Sequence, residues 1–223
     1  SATRKACGLQ ALMVDGVAAL LASRVDVLAF NRIVGLGVER PATKEMLEAL
    51  TQAYLDAAVP RHFVQVPPHA EPDTLPAWLA ARGYEPYNHW VKLWRGPEDL
   101  PPAPDGVVVE EVTAPVANAF AEICTGAFGF PGNMGSWMAE GVGAPGWHHY
   151  LARCDGEPAG VAALFIGSDV GWFSFAGTRQ GFRGRGAQRA LIARRLRDGV
   201  AAGCRWFVTE TAAERAGQPG QSC

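Results

Sequence analysis

Metal-ligand motifs and disulfide frameworks are lacking in this sequence of 223 residues. Its five cysteines lie far apart, with no CxxC pair and no short Cys/His cluster: Cys7, Cys124, Cys154, Cys204 and Cys223. Zinc sites need closely spaced ligands, and stapled secreted folds need an even set of cysteines. We therefore expect no metal site, and we interpret the cysteines as reduced, mostly buried thiols of a cytoplasmic protein.

Long hydrophobic runs and a strong charge of one sign are lacking as well. Asp15 and Arg24 interrupt the apolar stretches near the N-terminus, which argues against a signal peptide or a membrane span. Lys and Arg total 20 against 22 Asp and Glu, giving a net charge of -2. The molecule as a whole therefore has no bulk attraction for nucleic acid or acidic membranes. Its 48% hydrophobic content is ample for a packed core.

A Pro-rich polar stretch divides the chain into two halves. Residues 97–106 contain four prolines, and hydrophobic runs lie on both sides of them. Proline favours an extended, semi-rigid backbone, so this stretch predicts a linker. We expect one domain over 1–96 and a second over 107–223.

Hydrophobic periodicity predicts an α/β fold in both halves. In the first half the predicted helices are 9–21, 43–58 and 75–82, and the predicted strands are 25–30, 62–66 and 90–94. In the second half the predicted helices are 116–127 and 187–202, and the predicted strands are 107–112, 150–153, 158–166, 171–176 and 206–210. Asp155-Gly156 is a strong hairpin signal, so the three middle strands of the second half predict an antiparallel meander.

The glycine-rich turn 177–188 carries the clearest chemical signal. It lies between a predicted strand and a predicted helix, where backbone N–H groups and the helix dipole favour an anion. Gly184 and Gly186 allow a phosphate to approach closely, and Arg183 and Arg185 add charge and hydrogen-bond donors. The composition predicts a pyrophosphate cradle, with an ordinary helix-capping turn as the alternative.

Two other nucleotide-binding motifs do not fit this turn. A P-loop needs Gly-Lys-Ser/Thr at the helix start, whereas Gly186 is followed by Ala187 and Gln188. A dinucleotide-binding turn follows the first strand of a βαβ unit, whereas this turn follows a meander. Both readings are excluded.

The second half resembles the GNAT superfamily of acetyl-CoA-dependent N-acetyltransferases. The acetyl-CoA signature of that family is Gln/Arg-x-x-Gly-x-Gly/Ala, and Arg183 and Gly186 match its first and fourth positions. Gln188 stands at the sixth position, where the family has Gly or Ala. The order of elements over 107–210 is similar too. The resemblance implies a mixed, mostly antiparallel sheet flanked by helices, with acetyl-CoA as cosubstrate.

The resemblance also implies roles for individual residues. The pyrophosphate would bind the turn formed by Arg183, Gly184, Arg185, Gly186, Ala187 and Gln188. The pantetheine arm would bind the backbone of Phe175, Ala176, Gly177 and Thr178. For the rings of Phe173 and Phe175 we expect core packing at alternate positions of the strand instead of a ligand contact. Glu210 would be the base that deprotonates the amine, with a surface carboxylate as the alternative reading.

The same resemblance bears on the domain organisation. The family continues with a helix and two strands after the fifth strand, so the domain 107–223 is expected to be C-terminally incomplete. The stretch 79–94 resembles the closing unit of the same fold without an acetyl-CoA signature. The first half is therefore expected to be a degenerate GNAT-like copy, giving two tandem halves.

Several alternatives stay open. His148 or His149 could relay a proton, although neighbouring strand residues point to opposite faces. Phe130, Trp137 and Met138 are candidates for either an acceptor pocket or core. The acceptor is expected to be an amine of a small molecule or a peptide, and a homodimer stays open as the oligomeric state.

Two other function classes compete with the acetyltransferase reading. A non-catalytic acyl-CoA-binding or sensing module is the first. A nucleic-acid-binding helix is ranked last, because its arginines spread around the helix instead of forming one stripe. These arginines are Arg183, Arg185, Arg189, Arg194, Arg195 and Arg197.

Overall fold

The computed structural model describes residues 2–213, and the chain divides into two compact units after Tyr87. The first unit contains a four-stranded sheet in the order β1-β2-β3-β4. Its elements are α1 (Ala2–Ala6), β1 (Leu9–Val14), β2 (Val17–Ala22), β3 (Arg32–Val34), α2 (Lys44–Asp56), β4 (Phe63–Val64) and α3 (Leu75–Ala80). Strands β1, β2 and β3 are antiparallel, whereas β3 and β4 are parallel and joined through α2.

The predicted helix 9–21 is wrong, because this stretch forms the hairpin of β1 and β2. Asp15 and Gly16 make the turn with φ angles of 49° and 85°. Positive φ at both central residues is typical of the tight turns that match the twist of a hairpin. The predicted strand 25–30 is also wrong, since Leu28–Phe30 forms a single 3-10 turn.

The prediction for helix α2 is confirmed. The hydroxyl of Thr43 accepts a hydrogen bond from the backbone N–H of Met46 at 3.1 Å, so the helix begins with a side-chain cap. The buried face is formed by Met46, Leu47, Leu50 and Tyr54, whose spacings of three and four residues follow the helical period. This face packs into the core of the first unit.

The second unit is built on a six-stranded sheet in the order β5-β10-β9-β8-β7-β6. Its strands are β5 (Trp90–Arg95), β6 (Val107–Glu111), β7 (Trp147–Cys154), β8 (Glu157–Gly167), β9 (Val170–Thr178) and β10 (Trp206–Ala212). Its helices are α4 (Ala117–Phe128), α5 (Met134–Glu140) and α6 (Ala187–Ala201). All neighbouring strands are antiparallel except β9 and β10. The predicted meander and its mixed, mostly antiparallel sheet are confirmed.

Helices cover both faces of this sheet. Leu191 of α6 packs with Tyr150 and Leu164, and we call this side the α6 face. Phe120 of α4 contacts His149, the residue next to Tyr150 on β7. Because successive strand residues point to opposite faces, α4 lies on the other side, which we call the α4 face.

The strand β5 belongs to the second unit, which differs from the sequence-based boundaries of 1–96, 97–106 and 107–223. It pairs with β10 from Trp90 opposite Ala212 to Arg95 opposite Phe207. The Pro-rich stretch 97–106 therefore connects the two edge strands of one sheet, β5 and β6. The prolines suggested a boundary, but backbone pairing between distant segments is not visible in local composition.

Candidate functional site

The first turn of α6 presents unsatisfied backbone donors. The helix begins after Gly186, no side chain caps it, and no acidic residue occupies its first turn. The first N–H groups of a helix have no partner within the helix, so here they are available to an anion. Helix α2 of the first unit differs, because Thr43 caps its N-terminus.

The glycines and arginines of the turn have distinct surroundings. Gly184 and Gly186 have φ angles of 78° and 88°, which strongly favour glycine. A side chain at Gly184 would meet nothing within 4 Å, whereas one at Gly186 would lie 3.3 Å from Pro104. Arg185 forms an ion pair with Asp155 of the β7–β8 hairpin, and Arg183 is exposed. The ion pair with Asp155 therefore involves Arg185 and not Arg183.

A β-bulge distorts β9 just before this turn. The register with β8 shifts by one residue between the Ala163–Ser174 pair and the Val161–Gly177 pair. Phe175 lies in this bulge with a φ of 48°, a left-handed conformation that is costly for a non-glycine residue. The bulge therefore changes the direction of the β9 backbone within the segment that the sequence predicted to bind pantetheine.

The bulge also separates two phenylalanines that simple alternation would place on one face. Phe173 lies on the α6 face, where its ring is 5.8 Å from that of Phe207. Phe175 lies on the α4 face, where its ring is 6.0 Å from that of Trp147. Core packing of both rings at alternate positions of one strand is therefore wrong, because the extra residue reverses the face.

Strands β9 and β10 separate beside the bulge, in a gap that we call the fork. They pair over three positions only, ending at Trp172 opposite Val208. Beyond that point β10 stays paired with β5, and β9 stays paired with β8 as far as Thr178. At the point of separation the Thr209 hydroxyl donates to the Phe173 carbonyl at 3.2 Å. In residues 2–213 no backbone pairing joins the two strands past Trp172.

Gln188 connects the helix start to the end of β9. Its side-chain amide donates to the carbonyl of Gly177 at 3.1 Å and to the hydroxyl of Thr178 at 2.8 Å. A small residue at this position of the family signature could not make these contacts. The departure from the signature thus ties the two predicted cofactor-binding segments together.

Gly177 itself is needed for the packing of α4. A side chain there would lie 2.6 Å from the Cβ of Ala127, a distance that real contacts do not reach. Helix α4 therefore approaches β9 closely at the fork. Neither this contact nor the bulge has a signal in the sequence beyond the glycine itself.

Glu210 lies beside the fork on the α4 face. It is two residues past Val208, in the part of β10 that has left β9, and its side chain is 21% exposed. It forms an ion pair with Lys92 on the neighbouring strand β5. The structure thus brings this carboxylate to the separated strands, on the same face as Phe175.

Aromatic rings form a row on the α4 face next to the fork. Trp147, Phe165 and Trp172 stand opposite one another on β7, β8 and β9. The Trp147 ring lies 5.2 Å from that of Phe165 and 5.8 Å from that of Trp172. We call these residues, together with Phe175, the aromatic row. Sequence reasoning missed it, because the rings come from strands far apart in the chain.

The two histidines point to opposite faces, as the strand period requires. His149 is buried on the α4 face, where burial lowers its pKa to about 4. Its Nδ1 has no hydrogen-bond partner within the described chain. His148 faces the other way and contacts Glu111 at 2.9 Å. His149 is therefore a neutral core residue at neutral pH.

The remaining candidates from sequence lie in or near the helices of the α4 face. Met138 is buried and contacts Cys124, and Trp137 is partly buried on α5. The Phe130 ring stacks on that of Phe128 at 5.1 Å. Of the two alternatives for Met138, an acceptor pocket or the core, the structure shows the core.

Two features are absent from residues 2–213. Within that range no cluster of three or more His, Cys, Asp or Glu side chains is arranged to hold a metal ion. None of the helices described there is long and apolar enough to cross a membrane.

Comparisons with known proteins identify the fold. No model of a known family matches the chain, and no curated protein is significantly similar. A GCN5-related N-acetyltransferase from Kribbella flavida is similar over 96% of this chain and 86% of its own, with a TM-score of 0.63 and 18% identity. A functionally unknown conserved protein from Staphylococcus epidermidis is similar over 97% of this chain and 91% of its own, with a TM-score of 0.61 and 12% identity.

A third solved structure agrees with these two. A GCN5-related N-acetyltransferase from Sphaerobacter thermophilus is similar over 77% of this chain and 58% of its own, with a TM-score of 0.58 and 23% identity. The chain therefore has the fold of the GCN5-related N-acetyltransferases. A fold alone does not establish an activity, which must be argued from the site.

Proposed function

We propose that this protein is an acetyl-CoA-dependent N-acetyltransferase that moves an acetyl group to an amine of a small molecule or peptide by direct attack on the thioester. One observation carries the proposal: the open edge of β9 at the fork leads directly into the uncapped first turn of α6. An extended ligand arm that ends in a pyrophosphate needs these two features in this order. Acetyl-CoA has that shape.

The cofactor site is proposed to have two parts. The first turn of α6, with Arg183, Gly184, Arg185, Gly186, Ala187 and Gln188, would hold the pyrophosphate through backbone N–H groups and the Arg183 charge. The backbone of Phe175, Ala176, Gly177 and Thr178 would hold the pantetheine arm in the manner of an added strand. Bound there, acetyl-CoA supplies the activated acetyl group.

Glu210 is the proposed base. An alkylamine with a pKa of about 10 is mostly protonated at neutral pH, so it must lose a proton before it attacks. The Glu210 carboxylate lies beside the fork, and its position on the α4 face allows it to accept that proton.

The aromatic row is the proposed acceptor surface. Its four rings lie on the same face as Glu210 and are partly exposed. Aromatic faces attract both apolar groups and protonated amines. An amine lying against the row would therefore be held next to the proposed base.

The first unit is proposed to be a degenerate copy of the same fold. Its β3–α2–β4 crossover repeats the β9–α6–β10 order, a strand and a parallel strand joined through a helix. Thr43 occupies the helix N-terminus that would receive a pyrophosphate. The first unit would therefore not bind acetyl-CoA.

A cytoplasmic location is proposed on chemical grounds. Within residues 2–213 the four cysteines are buried and none is bonded to another, which suits a reducing compartment. We propose no nucleic-acid or membrane partner, and we leave a homodimer open.

The experiment uses acetyl-CoA labelled in the acetyl carbonyl with ¹³C and a panel of single amines. The panel contains an arylalkylamine, an aliphatic diamine, an aminoglycoside and a short peptide with a free N-terminus. The expected result is a protein-dependent amide carbonyl signal with at least one amine. No amide product from any of them, despite measurable binding of acetyl-CoA, would contradict the enzymatic part of the proposal.

The second candidate is a non-catalytic acyl-CoA-binding or sensing module. The ion pair between Glu210 and Lys92 favours it, because a carboxylate held by a lysine can also be a structural group. The two functions differ in one result. The module binds acetyl-CoA and transfers no acetyl group.

A further inference from the structure

Arg195 is a cation inside the core of the second unit. It lies on α6 with 2% of its surface exposed. Its Nε donates to the carbonyl of Leu191 and its Nη1 donates to the carbonyl of Ala163, both at 3.2 Å. Burial lowers the pKa of Arg195 to about 9, so the guanidinium is still protonated at neutral pH. The next residue, Arg194, is the one that pairs with Asp198.

A charge in this position is unfavourable for stability. Removing a cation from water without a carboxylate partner is costly, and carbonyl dipoles compensate only partly. Replacing a buried charge with an apolar side chain of similar volume is often neutral or stabilising. Packing alone therefore favours methionine over arginine at this site.

The guanidinium contacts both strands at the bulge. It lies 4.1 Å from the ring centroid of Phe173, the β9 residue whose carbonyl accepts the Thr209 hydroxyl at the fork. Its other partner, Ala163, is opposite Ser174 and is the first paired residue of β8 after the register shift. Arg195 thus contacts both β8 and β9 immediately beside the bulge, from the α6 face.

We propose that Arg195 is a positioning residue that fixes the β9 bulge and with it the open edge of β9. This inference rests on the proposed function, since that edge is where the pantetheine arm would bind. A planar guanidinium that donates to Ala163 on β8 and lies over the ring of Phe173 on β9 can hold the distorted backbone in one conformation, which an apolar side chain cannot. A preorganised edge binds an extended ligand more tightly than a mobile one.

The test separates the two parts of the cofactor. Isothermal titration measures the Kd of acetyl-CoA and the Kd of 3′-phosphoadenosine 5′-diphosphate, the nucleotide part that lacks pantetheine. In Arg195→Met the Kd of acetyl-CoA should rise about tenfold, while the Kd of the nucleotide fragment stays unchanged. A general loss of structure would instead raise the Kd values of both ligands together.

Arg197→Met is the matched control. Arg197 lies on the same helix and also donates to a carbonyl four residues earlier, but it is exposed. This variant should change neither Kd. Arg195→Lys keeps the charge and loses the planar guanidinium, so its Kd for acetyl-CoA should lie between those of the parent and Arg195→Met. If Arg195→Met does not fold, the Kd values of acetyl-CoA and of the nucleotide fragment are compared in Arg195→Lys instead, and the same two outcomes apply.

The outcomes are distinguishable. An unchanged Kd of acetyl-CoA in Arg195→Met would overturn the positioning role. An equal loss of affinity for acetyl-CoA and for the nucleotide fragment in a folded variant would overturn it too. A parent protein that binds neither ligand would instead overturn the proposed function itself.

Discussion

Glu210→Gln tests whether the carboxylate at the fork acts as a base. The change keeps the size of the side chain and its ability to form hydrogen bonds, but it removes the proton acceptor. A positioned base typically contributes about a hundredfold to ten-thousandfold in rate. We therefore expect kcat for acetyl transfer to fall by at least about a hundredfold, with little change in the Kd of acetyl-CoA.

The expected change in stability is small, and this makes the experiment informative. Glu210 and Lys92 are 21% and 61% exposed, and ion pairs with this much solvent access contribute ~0–1 kcal/mol. For a protein of this size that amount shifts Tm by at most about 4 °C. A large loss of rate in Glu210→Gln would therefore not result from unfolding.

Lys92→Met is the matched control, because it breaks the same ion pair and leaves the carboxylate in place. The assay follows release of the CoA thiol with the amine that the parent acetylates fastest. We expect the fold-decrease in kcat for Lys92→Met to be less than about a tenth of the fold-decrease for Glu210→Gln. Equal losses in the two variants, or an unchanged kcat in Glu210→Gln, would refute the role of Glu210 as base.

Three further predictions concern the elements around the site. Gly177→Ala forces a Cβ to within 2.6 Å of that of Ala127, so overpacking should cost ~1–3 kcal/mol in the free energy of unfolding, measured with urea; unchanged stability would contradict the close approach of α4. Gln188→Ala and Thr178→Val remove the same hydrogen bond, so the double variant should lose less stability than the sum of the two single losses; full additivity would contradict the contact. The folded pKa of His149, about 4, lies below the unfolded value near 6.5. Its stabilising effect is therefore complete above pH 6.5 and is lost as the pH falls toward 4. Tm should then fall less in His149→Phe than in the parent over this range, and parallel curves would contradict the buried neutral state.

The sequence predicted those parts of the fold that have a local signal. Helix α2 has a threonine cap and a regular apolar face, and the β7–β8 hairpin has Asp155-Gly156 at its turn. The turn between β9 and α6 was recognised because glycines and arginines stand between a strand and a helix. In each case the neighbours in sequence are also the neighbours in space.

Other parts depend on contacts between distant segments. Nothing near Trp90 indicates that β5 pairs with β10, more than a hundred residues later. The 9–21 stretch has the apolar content of a helix, and the hairpin arises because Asp15 and Gly16 adopt positive φ angles. The same Asp-Gly dipeptide stands at the turn of the β7–β8 hairpin, but at 15–16 it lies within an apolar run that is also typical of a helix.

The candidate site shows the same division. The residues of the α6 turn were predicted from their type and spacing. The bulge at Phe175, the fork and the aromatic row were not, because each one depends on the register between strands. The burial of Arg195 was not predicted either, since the arginines of α6 look alike in sequence and differ only in the face that they occupy.

The central claim is that acetyl-CoA binds at the turn before α6, and one titration tests it most directly. Acetyl-CoA is titrated into the parent, into Gly184→Val and into Gly203→Val. Both glycines have a positive φ and open space around them, 78° at Gly184 and 89° at Gly203, but Gly203 lies beyond the other end of α6. The two substitutions therefore carry a similar backbone strain.

We predict binding to the parent and to Gly203→Val, and a loss of at least about tenfold in affinity for Gly184→Val. Equal binding by all three proteins, or no binding by the parent, would contradict the proposed site.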